Sequence, residues 1–83
     1  MVFKKNGYLV NNKIIDINIL ENVNFKKLKI LNLSYNNISD IKVLDKVKFE
    51  KLEELYLSGN KIDEKSNKSL LLKLKSKIKE LSI

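Results

Sequence analysis

Cysteine, histidine and arginine are all missing from this 83-residue chain. Without cysteine there is neither a disulfide framework nor a thiolate zinc site. Without histidine the commonest general base and imidazole metal ligand is gone. No Gly-rich phosphate loop, nucleophile elbow or paired-ligand spacing offsets these absences. The expectation is a protein that is not an enzyme, with no catalytic residue, no metal site and no cofactor. The missing arginine bears on partners. The net charge of +7 rests on 17 basic residues, every one a lysine. Guanidinium forks make the bidentate phosphate and guanine contacts of specific recognition, whereas scattered lysines mainly confer solubility. Nucleic acid is therefore not the expected partner; a lysine-rich surface for an anionic polymer or a membrane is the second reading.

Long apolar runs are also lacking. The Leu70-Leu71-Leu72 cluster falls well short of the roughly 18 residues that cross a bilayer. The opening Met1-Val2-Phe3-Lys4-Lys5-Asn6-Gly7 leads into only a brief apolar patch, not the apolar core and cleavage site of a leader. A soluble, cytoplasmic protein of one domain is expected. At this length few apolar residues can be spared from the core.

What the chain does have is self-similarity. Shifted by 24 residues, Asn12, Ile14, Asp16, Ile17, Leu20, Phe25, Leu28, Leu31, Leu33, Ser34, Asn36 and Ile38 fall on Asn36, Ile38, Asp40, Ile41, Leu44, Phe49, Leu52, Leu55, Leu57, Ser58, Asn60 and Ile62. A repeat of 20 to 50 residues marks a solenoid. Leu31 and Leu33 lie two apart and so face the same side of a strand, with Asn32 on the other. A lone coil cannot bury its apolar side, so stability comes from stacking coil on coil. The apolar spacing at Ile17, Leu20 and Val23, and at Ile41, Leu44 and Val47, suits a helical or 3-10 turn on the return path. Ser39 or Asp40 is placed to cap the second of these. Phe25 and Phe49 precede equivalent strands, where stacked core packing is expected.

The segments Leu28-x-x-Leu31-x-Leu33-x-x-Asn36-x-Ile38 and Leu52-x-x-Leu55-x-Leu57-x-x-Asn60-x-Ile62 resemble the leucine-rich-repeat signature throughout. The continuation Ile38-Ser39-Asp40-Ile41-x-x-Leu44 is similar to the short-repeat branch, internalin-like or phosphatase-regulator-like. The resemblance runs strongly from about Asn12 to Ile62. It implies an α/β, right-handed solenoid of about four coils, with a short parallel sheet on the concave face and helical or 3-10 turns on the convex face. The coils fall at about 1–24, 25–48, 49–74 and, in part, 75–83, within one domain spanning 1–83. It further implies that Asn36 and Asn60, with Asn12 at the equivalent earlier position, form a structural ladder of side-chain amides bonded to backbone where the chain leaves each strand.

Both ends depart from the pattern. Gly7 stands where Leu31 would be, as in the atypical terminal repeats that cap a solenoid. Ser66, Asn67 or Ser69 is expected to start an amphipathic helix over Leu70, Leu71, Leu72 and Leu74. Ile78-x-x-Leu81-x-Ile83 follows as a fourth strand, two residues late relative to the period. Because the sequence stops on that strand, the expectation is a segment of a longer solenoid or a divergent, truncated member.

Function is expected on the concave face, where variable positions line up. The repeat aligns Lys5, Lys29, Glu53 and Lys79; Asn6, Ile30, Glu54 and Glu80; and Tyr8, Asn32, Tyr56 and Ser82, with Asn11, Tyr35 and Gly59 at the rim. All three tyrosines fall here, and tyrosine offers rigid apolar area with a polar tip at an interaction surface. Glu53 and Glu54 beside Lys29 make a mixed-sign surface suited to protein rather than phosphate backbone. Adjacent strand positions point to opposite faces, which argues against a catalytic or metal-binding pair at Glu53 and Glu54. The expected role is a protein-interaction scaffold whose partner, a protein or peptide, contacts Tyr8, Lys29, Asn32, Tyr35, Glu53, Glu54 and Tyr56.

Overall fold

The computed structural model describes residues 6–22, 27–47 and 49–83. Four short strands, β1 (Asn6–Tyr8), β2 (Ile30–Asn32), β3 (Glu54–Tyr56) and β4 (Glu80–Ser82), form one parallel sheet in chain order. Tight 3-10 turns at Asn18–Asn22 and Lys42–Asp45 return the chain after β1 and β2. An α-helix, α1 (Lys68–Lys77), does so after β3.

The sheet register follows the sequence period. Gly7, Leu31, Leu55 and Leu81 are successive partners across the strands. The first two steps are 24 residues; the last, from Leu55 to Leu81, is two longer. That longer return carries α1 in place of a 3-10 turn. An α-helix advances less per residue than a 3-10 helix, about 1.5 against 2.0 Å, so spanning the same path takes more chain.

Leucine spacing decides which side of the strands is buried. Leu31, Leu33, Leu55 and Leu57 are fully buried, and Leu28 and Leu52, entering the strands, join them. Ile38, Ile41 and Leu44 close the core from the return path of the central unit; Ile17 and Leu20 do so before it, Leu71, Leu74 and Ile78 after it. Each fully buried leucine contributes about 1.5–3 kcal/mol relative to an exposed one. Phe49 is half-buried against this core; its expected stacking partner Phe25, like Val23 and Lys5, lies outside the described residues.

Aspartate side chains satisfy backbone donors where the return turns begin. Ile41 occupies the cap position of the turn at Lys42–Asp45 without a side-chain bond, and Asp40, one residue earlier and expected at this end, accepts the Lys42 N–H through Oδ1 at 3.0 Å, an Asx-turn. Asp16 does the same for the Asn18 N–H at 2.8 Å. Before α1, Asn67 occupies the cap position without a side-chain cap bond. Asp63 organises that turn, accepting from the Lys65 N–H and the Ser66 hydroxyl, while Asn67 Nδ2 donates to the Asp63 carbonyl. Lys75 and Lys77 occupy the last turn of α1, where positive charge complements the helix dipole.

The strand exits are tied together by asparagine. Buried Asn36 donates through Nδ2 to the Leu33 carbonyl of its own unit and the Leu9 carbonyl of the preceding one, at 2.8 and 2.9 Å. Its Oδ1 accepts from the Asn12 and Ile14 N–H groups at 2.8 and 3.0 Å. Asn60 repeats this one unit on, donating to Leu57 and Leu33 carbonyls at 2.9 Å and accepting from the Ile38 N–H. Asn12 is exposed and bonds its amide to the Val10 carbonyl; among the described residues no earlier unit exists for it to bridge. Buried polar groups left unpaired are costly, and among the described residues no buried side-chain nitrogen or oxygen is without a partner.

Candidate functional site

Strand alternation that buries Leu31 and Leu55 sends their neighbours to the opposite side of the sheet. That outward face carries a cross-strand row of Tyr8, Asn32, Tyr56 and Ser82, and beside it Ile30, Glu54 and Glu80. Tyr8 is 58% exposed. Ile30, Asn32, Glu54 and Tyr56 are half-buried, and Glu80 is exposed. Asn32 spends its Oδ1 on the Ser34 N–H at 3.0 Å, which fixes its amide against the strand exit.

Polar contacts organise the face further. The Tyr56 hydroxyl donates to Glu54 Oε1, two residues back on the same strand. That bond, then burial, then the negative charges of Glu54 and Glu80, and last Tyr8, push the Tyr56 phenol up to about 12. Ser58 and Ser82 hydroxyls are hydrogen-bonded to each other across β3 and β4. One residue before β3, Glu53 pairs with Lys79 at 3.1 Å. The Lys79 hydrogen bond and charge, aided by Lys29, hold the Glu53 carboxyl below its ordinary range. The Glu53 N–H donates to the Lys29 carbonyl at 2.8 Å, so Lys29 and Glu53 are neighbours as well.

Tyr35 stands apart from this row. It follows β2 at a left-handed turn with φ of 57°, and equivalent positions Asn11 and Gly59 share that conformation at 58° and 72°. Asparagine and glycine adopt it readily; tyrosine does so rarely. Its N–H donates to the Ser58 carbonyl at 2.7 Å, and its ring lies against Gly59, where a Cβ would sit 2.4 Å from Tyr35 Cδ1. The missing side chain at Gly59 is thus what lets the Tyr35 ring rest on the next unit, with 64% of the residue still exposed.

The structure therefore gathers Tyr8, Asn32, Glu54 and Tyr56 on one sheet face and sets Lys29 and Glu53 at its margin. Tyr35 lies past the strand exits, and the three asparagines of the ladder belong to those exits. Two participants escape a reading of single motifs: Glu80, brought opposite Glu54 by register, and Gly59, whose lack of a side chain seats a ring. The column alignment carried the first signal; the second needs the ring's orientation. Among the described residues no group of three or more carboxylates is placed to hold a metal, and no helix is long and apolar enough to cross a membrane. The arrangement offers contact area, hydrogen bonds and fixed charge.

Comparison with protein families finds a match between residues 26–70 and the family described as "Leucine Rich repeats (2 copies)", which spans more than half of the chain. Comparisons with curated proteins and with solved structures return no match.

Proposed function

Since the chain belongs to the leucine-rich-repeat family, a typically non-enzymatic family whose domains generally mediate protein–protein interaction, we propose that its outward sheet face is a concave recognition surface for a protein or peptide. The observation that carries this reading is the exposed Tyr8 standing in one cross-strand row with Asn32 and Tyr56. Rigid aromatic area with polar tips is the chemistry of contact hot spots. Tyr35 extends the surface over Gly59, and Lys29, Glu53 and Glu54 give its margin charge of both signs. The whole of 1–83 acts as one scaffold of about four coils, with the 3-10 turns and α1 on its convex side. A cysteine-free chain suits the reducing cytoplasm, where we place it.

The test is capture from native lysate at low and high salt, using wild type beside a Tyr8→Ala, Tyr35→Ala, Tyr56→Ala variant shown to be folded by circular dichroism. A protein held by wild type at high salt and lost by the variant is the expected result. Salt-labile capture that ignores the substitutions would shift the role to the lysines of α1, because counterion release makes binding to anionic polymers fall steeply with salt.

A further inference from the structure

The outward face contains an arrangement that the fold does not need. Glu54 and Glu80 are Cα partners across the parallel β3 and β4 strands, and like charges directly opposite one another destabilise a sheet. Lysine to neutralise them is plentiful, with 17 in the chain and a net charge of +7. Yet the ion pairs among the described residues are Lys73 with Asp45 and Lys79 with Glu53. Glu53, next to Glu54 in the sequence, takes a lysine; Glu54 and Glu80 take none, and Glu54 accepts the Tyr56 hydroxyl instead. An aromatic ring borders the carboxylates. Tyr56 stands two residues from Glu54 on the same strand, and exposed Tyr8 lies farther along the same cross-strand row, with Asn32 between them.

Opposed carboxylates beside a phenol ring form a cation-binding chemistry in two parts. Carboxylates accept charge-assisted hydrogen bonds from ammonium or guanidinium groups. Ring faces attract the same cations and cover their methylene stems. We propose that the outward sheet face takes a basic, extended segment of a partner protein, seating one of its lysine or arginine side chains between Glu54 and Glu80 with the stem against Tyr56, while the rest of the segment crosses the row toward Tyr8. The proposal rests on the reading of this face as a recognition surface and adds the partner's chemistry. An acidic segment would bring a further negative charge to an unneutralised pair. A basic one relieves the repulsion between the two carboxylates. The protein's overall positive charge gives such a partner no long-range steering, so selectivity comes from the local contact.

The probe is a random dodecapeptide display library selected on the wild-type chain and counter-selected on a Tyr8→Ala, Tyr56→Ala variant, so that retained peptides depend on the face. Expected are peptides enriched in Lys or Arg whose affinity falls about tenfold or more on a Glu54→Gln, Glu80→Gln variant. That variant should melt at the same temperature as wild type or higher, because the substitutions remove a repulsion; this separates lost binding from lost folding. Face-dependent peptides without basic enrichment, or indifferent to Glu54→Gln and Glu80→Gln, would overturn the basic-segment proposal and leave the recognition surface standing. If no selected peptide depends on Tyr8 and Tyr56, both readings fall together.

Discussion

On β3 the two faces of one three-residue strand obey different rules. Leu55 points inward and is fully buried, in register with Leu31 before it and Leu81 after it. Glu54 and Tyr56 point the other way, and their partners change from Ile30 and Asn32 on one side to Glu80 and Ser82 on the other. The inner face repeats because each unit must fill the same space against its neighbours. The outer face does not fill the core, so its half-buried residues are freer to vary from unit to unit. Periodicity therefore reports on folding, and departures from it on the outer face mark where the proposed recognition would be written.

Substitutions that break the inner face should have the largest effect. Leu31→Ala or Leu55→Ala deletes a fully buried side chain between two units, and such truncations destabilise by about 2–5 kcal/mol. With total stability on the order of 5–15 kcal/mol for a domain, urea denaturation should show a large fall in midpoint. Tyr8→Ala on the outer face of the neighbouring strand should move it far less; equal losses would show that the outward face is also structural.

The asparagine ladder gives a sharper contrast, because equivalent positions sit in different surroundings. Asn36→Ala would strip partners from the Asn12 and Ile14 N–H groups and from the Leu9 carbonyl, and would leave the Leu33 carbonyl with its bond from Asn60 alone. Each buried group left unpaired costs about 1–3 kcal/mol, so a loss of about 3 kcal/mol is expected, offset where water can reach the freed groups. Asn12→Ala removes one exposed bond to the Val10 carbonyl and should stay within about 0.5 kcal/mol. Thermal melts of the two variants side by side measure the difference.

How much of this was legible beforehand follows the same division. The 24-residue shift located β2 and β3, set Leu31 and Leu55 inward, and placed the two extra residues before β4, because burial writes a period into the sequence. The turns were read less well. A 3-10 return and an α-helical one carry similar apolar spacing, and Asp16, Asp40 and Asp63 act through Asx bonds, which composition alone does not distinguish from helix caps. On the outer face the columns put Glu54 opposite Glu80 and Tyr8 in line with Tyr56. They could not show that Glu54 bonds Tyr56 while Glu53 takes Lys79, since side-chain pairing on an open face depends on rotamers that no periodicity constrains.

The rim joins the two faces, and a substitution there should have an intermediate effect. Gly59→Ala places a methyl group 2.4 Å from Tyr35 Cδ1 on a backbone with φ of 72°. A non-glycine residue in that region costs on the order of 1 kcal/mol, and the Tyr35 ring must move as well. A loss of about 1–2 kcal/mol is expected, with a change in the tyrosine near-ultraviolet dichroism. Adding Tyr35→Ala should recover the part due to collision and leave the part due to backbone strain.

The smallest expected effect is alkaline and belongs wholly to the outer face. In the fold the Tyr56 phenol is pushed from its ordinary 10.0 up to about 12, first by its hydrogen bond to Glu54. A group whose folded value is raised contributes stability that is fully present below its unfolded value and disappears as pH rises through the folded one. The contribution of Tyr56 should therefore hold up to about pH 10 and vanish by about pH 12. Because the group is solvent-facing, screening keeps the effect small. Ultraviolet titration should show a phenol step near pH 12, and Tyr56→Phe should remove that late step. Glu54→Gln should move it to lower pH by taking away the charged acceptor. Were the late step to survive both substitutions, the Tyr56–Glu54 contact would not be the feature organising this face.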